Sequence, residues 1–146
     1  MNNEIYTIGF TKKSAETFFT KLKNAGVARV IDIRLNPVSQ LSGFAKQDDL
    51  QYFLKLLCNC NYIHLPILAP TKNLLDDYRK NKIDWSEYER RFRALIEDRQ
   101  IENKISPEQL NNACFLCSES TPQKCHRRLV AEYLKERFPE IEIIHL

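Results

Sequence analysis

Two short motifs, Cys117-Ser118-Glu119 and Cys125-His126-Arg127, gather residue types that often do chemistry. Glu119 can serve as a general acid or base. Arg127 can clamp a phosphate or carboxylate through its forked N–H donors. Cys125 falls near the start of a predicted helix, where the positive end of the helix dipole lowers a thiol pKa. His126 beside it is a further catalytic candidate, and Cys117 ends the preceding strand. The exposed amides at such a helix start also form a ready anion site. Cys125 lies four residues before Leu129, so a buried core thiol is an equal alternative, and Arg128 reads as a solvated helix charge.

Asp32 and Arg34 make a second constellation. They sit two apart in the β-branched run Val30-Ile31-Asp32-Ile33-Arg34, hence on one face of a strand. Charges in such a run are costly to bury unless partnered. Arg34 could bind an anion, and Asp32 could orient it or act as a base.

Three sharper chemistries fail on spacing. Cys114 and Cys117 lie three apart on a strand and point to opposite faces, and adjacent Cys125 and His126 on a helix are expected to diverge. Zinc held by all four is therefore not expected. A phosphatase loop needs an arginine six residues after its cysteine, and those positions hold Gln123 and Ala131. No G-x-G-x-x-G dinucleotide fingerprint occurs. No cofactor is predicted, and the need for a metal stays open.

The elements that must position these residues are punctuated by few glycines and prolines. Glu4 to Gly9 reads as a strand. Ser14 caps a helix with Ala15, Phe18, Phe19 and Leu22 on one face, and Gly26 ends it. Val27 to Arg34 is a second strand. Leu50, Phe53, Leu54 and Leu57 stripe a second helix, and Tyr62 to Pro66 is a third strand. Residues 72–99 read as a helical insertion of two helices, the second opened by Asp84 and Glu87 as a capping box. Ala113 to Cys117 is a fourth strand. Thr121 and Pro122 are expected to open the next helix, which Leu129, Val130, Tyr133 and Leu134 pin inward. Ile141 to Leu146 closes the chain as a strand.

This alternation predicts one α/β domain over residues 1–146: a single, mostly parallel sheet with helices on both faces, Rossmann-like and doubly wound. Ligands of such sheets bind beyond the carboxyl ends of the strands. That rule selects Thr7 and Gly9, Arg34 with Pro37 and Ser39, His64, and Cys117 as binding candidates beside Arg127. Asp32, Arg34, Glu119 and Arg127 are expected to converge around one cleft.

Composition bounds the function classes. The net charge of +3 permits an anionic partner without demanding one. No apolar run reaches the ~20 residues of a membrane span, so no membrane is expected. Five cysteines, an odd number, read as free thiols in a reducing compartment. With no signal-like start, the expected location is cytoplasmic. Arg79, Lys80, Lys82, Arg90, Arg91 and Arg93 make the middle helices basic, but Asp84, Glu87, Glu89, Glu97 and Asp98 nearly cancel them. A salt-laced solvated face is favoured there over a nucleic-acid contact.

The chain resembles the bacterial "domain of unknown function 488" family. The likeness is carried by Tyr6-Thr7-Ile8-Gly9, by Asp32-Ile33-Arg34 with Pro37 and Ser39, and by His64-Leu65-Pro66. It continues through Leu116-Cys117-Ser118-Glu119, Cys125-His126-Arg127 and the closing Ile143-Ile144-His145-Leu146. The Cys-x-Glu followed by Cys-His-Arg is its specific part. The resemblance implies a parallel α/β fold and a shared site, without a reaction. Members usually carry His where this chain has Phe10 and often Arg where it has Gln40. Because Cys-His-Arg is the repeated unit, Arg127 rather than Arg128 is the expected site arginine.

The leading expectation is an enzyme, a hydrolase among the options, acting on a phosphate-bearing small molecule, nucleotide or nucleic-acid end. Arg34 and Arg127 would clamp the anion, and Asp32 and Glu119 would act as acid and base. A non-catalytic nucleotide or nucleic-acid binding module is the second reading. A thiol-dependent enzyme using Cys117 or Cys125 is the third.

Overall fold

A computed structural model describes residues 3–38 and 43–146. Five strands form one sheet: β1 (Glu4–Gly9), β2 (Arg29–Asp32), β3 (Asn61–His64), β4 (Ala113–Cys117) and β5 (Glu142–His145). All neighbours pair in parallel, in the order β3-β2-β4-β1-β5. The α/β class and the parallel sheet match the sequence reading. The order differs from a Rossmann sheet, because β4 is inserted between β1 and β2.

Six α-helices occur among the described residues: α1 (Ala15–Ala25), α2 (Gln47–Cys58), α3 (Lys72–Arg79), α4 (Trp85–Asp98), α5 (Pro107–Leu110) and α6 (His126–Arg137). Two hydrophobic clusters show how they divide. Phe18, Phe19 and Leu22 of α1 and Leu50 and Leu54 of α2 pack with Tyr6, Ile8, Val30 and Leu116 on one face. Tyr88, Phe92 and Ile96 of α4 and Leu129 and Val130 of α6 pack with Ile5, Ile31 and Phe115 on the other. The alternating side chains of each strand feed both clusters, as a sheet buried on two sides requires.

Local signals set several boundaries as expected. The Ser14 hydroxyl accepts the Thr17 N–H, and Gly26 ends α1 in the left-handed region at φ 73°. Asp84 caps α4 through the Glu87 N–H. Ser14→Ala is expected to lower stability by about 1 kcal/mol, the usual worth of an N-cap, as read from urea unfolding. An unchanged midpoint would show that the cap contributes nothing here.

One boundary is corrected. Thr121 and Pro122 do not open α6; that helix begins at His126, with Cys125 in the N-cap position and its backbone extended at φ −140° and ψ 138°. Residues 118–124 are loop, tied down by the Thr11 N–H bonding the Ser118 carbonyl at 3.1 Å. The short α5 was not foreseen, although Ser106 and Gln109 form a reciprocal capping box at its start.

The strand order places the site. From β1 and β2 the chain runs over the α1/α2 face, whereas from β4 it runs over the α4/α6 face. Connections therefore diverge at the carboxyl end of β4, between its two neighbours, which is where open α/β sheets form crevices.

Candidate functional site

Asp32 and Arg34 lie on the α1/α2 side of that edge. Asp32 is completely buried, and its carboxylate meets four donors. Arg34 gives Nε to Oδ1 at 2.8 Å and Nη2 to Oδ2 at 2.6 Å, and its backbone N–H also reaches Oδ1, at 3.1 Å. The Tyr62 hydroxyl donates to Oδ2 at 2.5 Å. Burial, then the Asp32 charge, pushes the Tyr62 phenol far above its ordinary range, so it stays a donor. His64 Nε2 donates to the Arg34 carbonyl at 2.8 Å. The guanidinium lies over the Phe10 ring, 5.3 Å from its centre, and Nη1 has no partner among the described residues. Through these bonds Asp32 holds Arg34 in place, which fits the orienting role that was one of its two expected roles.

On the α4/α6 side, Cys117, Cys125 and His126 converge. Their donor atoms all lie within 4.8 Å of one another. The expectation that Cys125 and His126 diverge fails because Cys125 is extended backbone ahead of the helix, not a helical residue. Cys114, as expected, points to the opposite face, among the residues beneath α1 and α2. His126 Nε2 donates to the Ile33 carbonyl at 2.8 Å, which turns Nδ1 toward the Cys117 sulfur at 3.5 Å. The Phe92 ring meets the imidazole edge-on at 5.4 Å.

Charge in this cluster is uneven. A hydrogen bond from Cys125 holds the Cys117 thiol well below its ordinary pKa against the opposing effect of burial, with His126 and the Glu119 backbone N–H assisting. Burial, and then its neighbour Cys117, pushes Cys125 the other way. Burial works to lower the His126 pKa, but the attraction and hydrogen bond of Cys117 outweigh it and raise the value.

Arg127, in the first turn of α6, is fully buried. Its Nη1 donates to the Glu119 carbonyl at 2.9 Å, while Nε and Nη2 have no partner among the described residues. Gly9 makes room for this contact: a Cβ there would collide with the Glu119 carbonyl oxygen and with Arg127 Nη1. Basic side chains gather around Arg127. Lys13 reaches the Ser120 carbonyl at 3.5 Å, and burial followed by the Arg127 and Lys21 charges lowers its pKa. Burial, then Arg127, lowers that of His145, whose Nδ1 lies 2.6 Å from the Thr7 hydroxyl. Arg128 differs from Arg127: it is partly exposed and paired with Glu89 and Glu132 at 3.0 and 3.1 Å.

The anticipated residues thus share the carboxyl edge but not one face. Asp32, Arg34 and His64 sit on one side, and Thr7, Gly9, Cys117 and Arg127 on the other. The two sides touch through backbone, with the Ile33 N–H bonded to the Leu116 carbonyl and the Ile33 carbonyl to His126. A single cleft around Asp32, Arg34, Glu119 and Arg127 is corrected to two adjoining half-sites, because odd and even strand positions face opposite ways. The Glu119 side chain is exposed. Pro37 is buried and its carbonyl accepts the Gln47 N–H, a structural role. Ser39 and Gln40 lie outside the described residues. Tyr62, Lys13 and His145 were missed as site residues. No local motif marks the first two, and His145 meets Thr7 only through the β1–β5 register.

Fold and site together define a parallel α/β protein with a thiol–imidazole cluster and buried arginines at the carboxyl edge of its sheet. The chain belongs to the family described as Domain of unknown function DUF488, whose model matches residues 14–134. No curated protein and no solved structure matches it. No helix of the described residues is long and apolar enough to cross a membrane.

Proposed function

We propose that this protein is an enzyme acting on a phosphate-bearing small molecule, nucleotide or nucleic-acid end, held through Arg127. One observation carries the reading: Arg127 is fully buried, no carboxylate among the described residues pairs with it, and two of its nitrogens lack partners. An uncompensated buried charge is destabilising by several kcal/mol, so a site of this kind is best explained by an anionic ligand that completes it. Lys13 beside Arg127, and Nη1 of Arg34 across the sheet, add positive donors at the same edge. Glu119, exposed on the loop that Arg127 grips, is the remaining candidate acid–base group. Asp32 orients Arg34 in this scheme, so a reaction needing two free carboxylates, such as glycoside cleavage, loses support.

The alternatives are weaker. Arg90, Arg91 and Arg93 are engaged by Glu87, Asp77, Glu132 and Glu136, which lowers the free charge that α4 offers to nucleic acid. The thiol reading has no observation comparable to the unpartnered nitrogens of Arg127, since the donors of Cys117, Cys125 and His126 lie within 4.8 Å of one another and Cys117 meets His126 Nδ1 at 3.5 Å.

Calorimetric titration with phosphate, pyrophosphate, nucleotides and phosphosugars tests the reading. Arg127→Ala is expected to cost about 1.5–3 kcal/mol of binding, roughly a 10- to 150-fold loss of affinity. Arg128→Ala should change affinity little, because its charge is already spent on Glu89 and Glu132. Equal losses at both positions, or no binding of any phosphate compound, would overturn the assignment. Turnover of the bound compound that falls about 100-fold or more in Glu119→Gln would support the acid–base role; turnover unchanged in that variant would remove it.

A further inference from the structure

Three donor atoms converge in the cluster on the α4/α6 side, and no step proposed above uses them. We infer that Cys117 Sγ, Cys125 Sγ and His126 Nδ1 bind a thiophilic divalent ion of the zinc class, leaving a fourth position open. The inference goes beyond the phosphate reading and stands without it.

The geometry supports it in three ways. Tetrahedral zinc with Zn–S of about 2.3 Å and Zn–N of about 2.0–2.1 Å sets neighbouring S and N donors roughly 3.6 Å apart. The Cys117 Sγ to His126 Nδ1 separation is 3.5 Å, and all three donors lie within 4.8 Å of one another. Next, His126 Nε2 donates to the Ile33 carbonyl at 2.8 Å. That bond fixes the tautomer and leaves the Nδ1 lone pair facing the sulfurs, the outer contact typical of metal-binding histidines. Finally, Cys117, Cys125 and His126 are 5%, 2% and 7% exposed, so two thiolates here would need a cation more than they would need water.

Three protein ligands are the donor count of a catalytic rather than a structural zinc site, and the fourth position takes water or a substrate atom. Softness favours zinc over magnesium or calcium, which prefer oxygen ligands. Cys114 cannot join, since its side chain lies beneath α1 and α2.

The test uses cobalt as a spectroscopic probe on the whole, fully reduced chain. After removal of metal with a chelator, Co2+ titration is expected to saturate at one ion per chain. A thiolate-to-cobalt charge-transfer band and intense visible bands of tetrahedral cobalt should appear, and zinc should displace both. Cys117→Ser and Cys125→Ser should each weaken the charge-transfer band and lower affinity by at least about 10-fold, while Cys114→Ser and Cys60→Ser leave both unchanged. Circular dichroism of each variant verifies that the chain is folded. If Cys117→Ser does not fold, Cys125→Ser and His126→Gln carry the test. Weak octahedral bands only, no saturable binding, or bands that survive in both Cys117→Ser and Cys125→Ser would overturn the site. Loss of phosphate affinity in Arg127→Ala with cobalt binding intact would separate this site from the anion reading.

Discussion

Replacing Asp32 by alanine is expected to destabilise the fold by about 3–5 kcal/mol, the cost of removing one partner from a buried ion pair. Asp32 is completely buried and Arg34 is only 3% exposed, so neither charge has water to fall back on. The substitution strands more than the guanidinium. The Tyr62 hydroxyl and the Arg34 backbone N–H also lose their acceptor. A typical domain is stable by only 5–15 kcal/mol, so Asp32→Ala should lie close to the limit of folding. Removing both charges should be milder: the double variant Asp32→Ala with Arg34→Met is expected to be more stable than Asp32→Ala alone, because a buried pair can be replaced by apolar side chains at little cost. Urea unfolding of the single and double variants measures this. A loss under about 1 kcal/mol in Asp32→Ala would mean that water reaches Arg34 and that the pair is not buried in solution.

Gly9→Ala is the second large effect, expected to reach or exceed about 3 kcal/mol, the upper end of overpacking penalties. The glycine is required by close approach rather than by backbone conformation; Gly26 is the glycine with positive φ. The added methyl would strike the Glu119 carbonyl oxygen, a backbone atom in a loop that Thr11 pins to β1. It would also strike Arg127 Nη1, which donates to that same carbonyl. The residue cannot yield without moving the loop, Arg127 or both. Lost stability should therefore come with lost phosphate affinity. Gly43→Ala is the control: nothing lies within 4 Å of its added Cβ, and a change within about 0.5 kcal/mol is expected. If Gly9→Ala keeps both stability and phosphate binding, the Gly9–Glu119–Arg127 contact does not hold the anion site together.

What the sequence determined by itself was local. Ser14, Gly26 and Asp84 placed helix boundaries because capping joins residues one turn apart, and that spacing is visible in the chain. The apolar stripes of α1, α2 and α4 and the strand-helix alternation gave the parallel α/β class by the same short-range logic. The rule that ligands meet strand carboxyl ends then led to Asp32, Arg34, Cys117 and Arg127 with no tertiary information.

The tertiary structure alone decided which of these residues meet. The pairing of β2 with β3 brings Tyr62 to Asp32, and the pairing of β1 with β5 brings His145 to Thr7. Such partners are far apart in sequence, and strand order leaves no local mark. Opposite sheet faces separated Arg34 from Arg127, although both end up at one edge. The late start of α6 had the largest consequence. Thr121-Pro122 carries a sound helix-start signal, but the loop tied to Thr11 and gripped by Arg127 holds those residues out of the helix. Cys125 is left extended in the N-cap position and turns its sulfur toward Cys117 and His126. A helical Cys125 would have pointed away from its neighbour, so the convergence of the three donors depends on a backbone angle that only the packed loop fixes.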